Sequence, residues 1–205
     1  MNSQSLSIEN SQATATDSFS AKLGFRFGVV PSLVIGRVVA CQNPDSQAEP
    51  CRNTTQSVIA RSFRYLKPAT VVKAIEKLKD KEVLIHQERT MEELVLGVDR
   101  SFTVAPSVRE AARITPVRFR ISDALGYGLR AAIVLWDLEA QWHASAARNP
   151  EHLRFEFSPT AMSKRIPLGI STIVRKTKAL EAAGVLEARC AGWSSGAGRY
   201  VGGAQ

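Results

Sequence analysis

The sequence predicts a mainly α chain with small β-hairpins, built as two similar units in tandem. The first observation behind this is a segment that occurs twice: Lys67 to Leu84 reads KPATVVKAIEKLKDKEVL, and Gly169 to Leu186 reads GISTIVRKTKALEAAGVL. Laying one on the other pairs Thr70 with Thr172, Val71 with Ile173, Lys73 with Arg175, Leu78 with Leu180, Val83 with Val185 and Leu84 with Leu186. The second is periodicity. Val71, Ala74, Ile75 and Leu78 fall at i, i+3, i+4 and i+7, the spacing of one buried helical face. The third is composition, since 44% hydrophobic content supports real cores while only 7% aromatic content suits small helical units better than large sandwiches.

Residues 1 to 21 are rich in Ser, Asn, Gln and Thr and are expected to form a disordered polar tail, because they bury too little to offset chain entropy. The first domain is placed at residues 22–100. Phe25 to Ala40 is apolar, with Pro31 suited to opening a helix. Asn43 to Asn53 reads as a loop, and Thr54 or Thr55 can cap a helix from Gln56 to Tyr65. Pro68 fits the first turn of the next helix, where its missing amide proton is not needed. LIHQE and LVLGV, either side of RTMEE, read as a hairpin.

Residues 101–116 are expected to be a linker in which Pro106 and Pro116 bracket a short helix. The second domain, 117–205, repeats the plan. A long helix is expected from about Tyr127 to Ala146, then a strand LRFEF, then a helix opened by Ser158-Pro159. A further helix runs from near Ile170 to Ala183, with Gly184 as its left-handed terminator. EARCAGW and RYVGG flank the glycine-rich tip SSGAG as a second hairpin.

The order in each half, helix, helix, turn, helix, hairpin, together with Leu180-Glu-Ala-Ala-Gly184-Val-Leu186, resembles the broad winged helix superfamily of DNA-binding regulators. The resemblance covers roughly residues 24–100 and 120–202 and implies two winged helix-turn-helix domains in tandem. The first copy departs from it by carrying Glu82 where the glycine sits.

Charge points the same way. The chain has 27 Lys and Arg against 19 Asp and Glu, a formal net charge of +8, and both predicted domains are net basic. A counterion-releasing polyanion is the natural partner for such a folded surface. The expected function is therefore sequence-specific binding of double-stranded DNA, as a transcriptional regulator. A plasmid or phage replication initiator or partition protein is one alternative, and a winged helix protein-interaction module without DNA binding is another.

In a helix-turn-helix the start of the second helix enters the major groove. The base- and groove-facing candidates are Lys67, Thr70, Lys73 and Lys77 in the first domain, and Ser171, Thr172, Arg175, Lys176 and Lys178 in the second. Arg175 is the first choice for guanine, whose two acceptors match a guanidinium fork. Arg61, Arg64, Lys164 and Arg165 on the preceding helices are candidate phosphate contacts, as is Arg199 on the second hairpin. The competing reading of each is an ordinary solvated basic face. Glu88, Glu92 and Glu93 make the first hairpin acidic, so the second domain is the stronger candidate reader.

No nucleophile elbow, phosphate loop, HExxH or dinucleotide fingerprint is present, so an enzyme is not expected. Neither is a metal or other cofactor: Cys41, Cys51 and Cys190 lack CxxC spacing, and His86, His143 and His152 fall in no ligand rhythm with them. No apolar run approaches the ~20 residues that cross a bilayer, and the amino terminus lacks a secretion signal. The expected location is the cytoplasm, at the nucleoid. Trp142 and the apolar surface of the Tyr127 to Ala146 helix are the candidate homodimer interface.

Overall fold

Phe19, Ser20 and Ala21 are buried, and this overturns the expectation that order begins only after residue 21. Thr16–Ser20 is a strand (β1), and the Ser20 hydroxyl accepts from the Leu23 N–H at 3.5 Å to cap the helix Ala21–Phe27 (α1). The polar composition of the preceding residues conceals one aromatic anchor, Phe19, which is 3% exposed. The computed structural model describes residues 15–42, 54–87, 101–113, 116–148, 155–190 and 200–203. It divides into two compact units, Ser18–Val117 and Arg118–Gln205 with Met1–Asp17.

In the first unit a glycine breaks the helix that composition alone leaves continuous. Gly28 adopts φ 100 and ψ 166, and the helix Val29–Cys41 (α2) follows directly, so Pro31 lies within its first turn rather than opening it. Thr55 caps the helix Gln56–Ser62 (α3), which ends at Phe63, before the expected Tyr65. The helix Pro68–Asp80 (α4) begins at its proline as expected, and Val71, Ala74, Ile75 and Leu78 are its buried face. Val71, Ile75 and Leu78 are wholly inaccessible, each contributing about 1.5–3 kcal/mol by burial.

The linker expectation for 101–116 is also corrected. Leu84–His86 (β2) pairs antiparallel with Phe102–Val104 (β3), Leu84 opposite Val104 and His86 opposite Phe102. The expected partner LVLGV, and the acidic Glu88, Glu92 and Glu93, lie outside the described residues. Phe102 is drawn in because its side chain is buried and its backbone is claimed by Thr54: the Thr54 hydroxyl donates to Phe102 O at 2.6 Å, and Phe102 N–H donates to Thr54 O at 3.1 Å. The helix Pro106–Arg109 (α5) and a 3₁₀ turn at Ala111–Arg113 complete the unit.

The second unit follows the same grammar. Pro116–Arg120 (β4) leads into the helix Ile121–Tyr127 (α6), then Gly128 at φ 84 and ψ 152, then the helix Leu129–Arg148 (α7). The long helix therefore starts after Tyr127, not at it, because Gly128 takes a conformation essentially closed to other residues. Arg120 holds this corner: its guanidinium meets both Glu139 carboxylate oxygens at 2.8 Å, approaches Asp123 at 3.5 Å and lies 5.6 Å from the Trp136 ring centre. Phe155–Phe157 (β5), the helix Pro159–Ser163 (α8), the helix Ile170–Ala182 (α9), Glu187–Cys190 (β6) and Tyr200–Gly203 (β7) follow. The strands form one antiparallel sheet in the order β5-β7-β6. The SSGAG tip lies outside the described residues.

Both α4 and α9 end in the same hydrogen-bonded turn. Val83 N–H reaches Leu78 O at 2.9 Å and Glu82 N–H reaches Lys79 O at 2.8 Å; Val185 N–H reaches Leu180 O at 3.0 Å and Gly184 N–H reaches Glu181 O at 2.9 Å. This is the Schellman pattern, which places the residue before the valine at positive φ. Gly184 has φ 71, and Glu82 adopts φ 55 in spite of its Cβ. The fold is thus mainly helical with small antiparallel sheets, and no helix among the described residues is long and apolar enough to cross a membrane.

Three stability changes are expected. Gly128→Ala is expected to lower stability by about 1–3 kcal/mol through conformation alone, since a Cβ there meets nothing within 4 Å. Glu82→Gly is expected to raise it by about 1 kcal/mol by relieving the left-handed strain; urea unfolding midpoints measure both. Burial, reinforced by the Glu139 charge and opposed by Arg120, raises the Asp123 pKa above its ordinary value. The folded state then holds that proton where the unfolded state has lost it. Stability falls as pH rises from the ordinary aspartate value through the raised one, and Asp123→Asn is expected to abolish that part of the pH profile.

Candidate nucleic-acid interface

α9 is held from beneath and open above. Met162 from α8, Ile166 and Leu168 from the turn, and Ile173 and Leu180 from α9 itself are buried. α9 packs against both α8 and α7. Thr177 stands where the first unit has Ile75, and its buried hydroxyl is satisfied by donating to Ile173 O at 3.0 Å, so a polar group costs the core little. Ser158 starts α8, its hydroxyl accepting from the Ala161 N–H at 3.3 Å.

The opposite side of α9 carries exposed Ser171, Arg175 and Lys178. Ser171 and Arg175 are one turn apart and share a face, with Lys178 next along it. Thr172 and Lys176, from the same expected set, are only partly exposed and lie on the shoulder of that face. Arg199 lies outside the described residues.

The residues of α8 and its turn divide. Lys164 is exposed. Arg165 is engaged: it meets Asp137 of α7 through Nη2 at 2.8 Å and Nε at 3.2 Å, and Nη1 donates to Ala161 O at 3.3 Å. A guanidinium held in this way ties the turn after α8 to α7.

In the first unit Arg61, Arg64, Lys67, Thr70, Lys73 and Lys77 are all exposed. Lys77, however, donates through Nζ to Phe27 O at 3.2 Å, the last residue of α1, where a cation suits the carbonyl end of a helix. Exposed Glu76 occupies the place that Lys178 has in α9. The open face of α4 is therefore of mixed charge, and that of α9 is cationic through Arg175 and Lys178.

Reading the sequence missed two residues at this site, Ile170 and Glu76. Ile170 is 47% exposed although it continues the row of Ile173, Thr177 and Leu180. The signal lay in the duplication: Pro68 stands at the same position of α4 and is also exposed, so this position is the helix entry and not core. Among the described residues no cluster of His, Cys, Asp or Glu is arranged to hold a metal ion. Trp142 of α7 is partly exposed, its ring 4.8 Å from that of His143. Protein-family models, curated proteins and solved structures give no match to this chain.

Removing the Arg165 clamp is expected to cost about 1 kcal/mol or less, because Arg165 is 42% exposed and solvent screens the pair. A double-mutant cycle with Arg165→Ala and Asp137→Ala, read by urea unfolding, is expected to return a favourable coupling of that size.

Proposed function

We propose that this chain binds double-stranded DNA in a sequence-specific manner through two winged helix-turn-helix units, and that it acts as a transcriptional regulator. The observation that carries the reading is the open face of α9, where Ser171, Arg175 and Lys178 are exposed on a helix whose other side is fixed in the core. A rigid helix with hydroxyl and guanidinium groups along one free side matches what a major groove offers: base-edge acceptors flanked by phosphates. The short helix α8 before it and the strands β6 and β7 after it supply the remaining parts of such a unit, and the net charge of +8 supplies attraction.

The two units have different tasks on this reading. α9 reads bases. The first unit, with Glu76 among the lysines of α4 and Lys77 turned to Phe27, contributes attraction to the backbone through Arg61, Arg64, Lys67 and Lys73. Pairing of two chains through the exposed part of α7 around Trp142 belongs to the same proposal and would generate a two-fold related target.

Selection of bound fragments from random and genomic duplex DNA at two salt concentrations tests the reading. Common sites recovered at both, lying over promoters, are expected; directly repeated sites beside an origin would instead make the chain a replication initiator. Arg175→Ala is expected to cost about 1–3 kcal/mol on a selected site and to relax preference at one base pair. Equal loss on every sequence would make Arg175 a phosphate contact. Recovery of nothing above background would overturn DNA binding altogether.

A further inference from the structure

Gly169 and Ile170 form the entry to α9, Gly169 as its N-cap residue and Ile170 as the first residue of the helix. Gly169 has φ −69 and ψ 150, a conformation open to any residue, and a Cβ built there meets nothing within 4 Å. Neither backbone strain nor packing among the described residues asks for glycine. What glycine gives is a bare peptide at the start of the helix. Ile170 follows it, an aliphatic side chain left 47% exposed beside exposed Ser171.

Helical side chains lean toward the amino terminus, so Ile170 projects past the first turn while Ser171 and Arg175 extend from the adjoining face. An apolar group at that end, beside the exposed Ser171, is matched by the one apolar feature of the major-groove edge, the 5-methyl group of thymine. We propose that Ile170 is a specificity-determining residue that reads a thymine 5-methyl group, with Gly169 keeping the helix entry bare enough for the base edge to approach. This rests on the reading of α9 as a groove-binding helix and names the base chemistry it selects.

Random-sequence duplexes prepared once with thymine and once with uracil, which differ only in that methyl group, provide the probe. The full chain is expected to enrich a common site from the thymine pool, and replacing thymines singly by uracil in that site is expected to weaken binding about fourfold at one position, the effect of one buried methyl-sized group. Ile170→Ala is expected to bind the thymine site about fourfold more weakly and to lose no more on uracil replacement there, whereas Arg175→Ala retains the methyl effect. Gly169→Ala is expected to unfold at the same urea concentration as the native chain and yet bind the site more weakly. Equal sensitivity to uracil in the native chain and in Ile170→Ala, or a site with no methyl dependence, overturns the inference and leaves DNA binding standing. Enrichment from neither pool overturns both.

Discussion

Each unit depends on a left-handed turn that stops a helix and sends the chain out beside it. At the ends of α4 and α9, Leu78 O and Leu180 O take the amide protons of Val83 and Val185, and this requires positive φ at Glu82 and Gly184. The turn satisfies carbonyls that a helix end leaves orphaned. It also fixes where β2 and β6 begin, and so keeps each small sheet at the carboxyl end of its helix. The amino-terminal ends, with Lys67 in one unit and Ser171 in the other, stay open to solvent as a result. That Glu82 holds this conformation without being glycine shows how strongly burial of Leu78 and Val83, at 0% and 4% exposure, dictates the local path.

The same scaffold carries two unlike faces. Position by position, Lys73 faces Arg175 in kind, but Glu76 replaces Lys178 and Ile75 replaces Thr177. A planar guanidinium offers a fork of donors where an ammonium offers a point charge, so Lys73 and Arg175 differ in geometry as well as in name. Lys77 is drawn to the last carbonyl of α1. A repeated segment with two such unlike faces suits a chain in which one unit recognises and the other holds on, the division of labour proposed above.

Much of this architecture is legible in the sequence, and the exceptions have physical causes. α4 and α9 were readable because apolar spacing, Pro68 and Gly184 mark their faces and ends independently. The short elements β1, α1 and β4 were not. β1 and β4 rest on one or two apolar anchors, Phe19 in the first and Val117 and Phe119 in the second, α1 is too short for its apolar spacing to stand out, and the glycine breaks at Gly28 and Gly128 carry no pattern beyond glycine itself. β3 is not legible in the sequence because its pairing is non-local, set by Thr54 far back in the chain. At the candidate site the residue types were legible, but their engagement was not. Nothing in the sequence separates Arg165, committed to Asp137, from exposed Lys164.

On the proposed function, the entry and open face of α9 form the reading surface, with α4 in a lesser role. Amide hydrogen exchange of the full chain, with and without a selected duplex, tests it most directly. Slowed exchange concentrated between Gly169 and Lys176 is expected on adding duplex, with a smaller change at the start of α4. Protection confined to α4, or none at α9 while duplex is demonstrably bound, would contradict it.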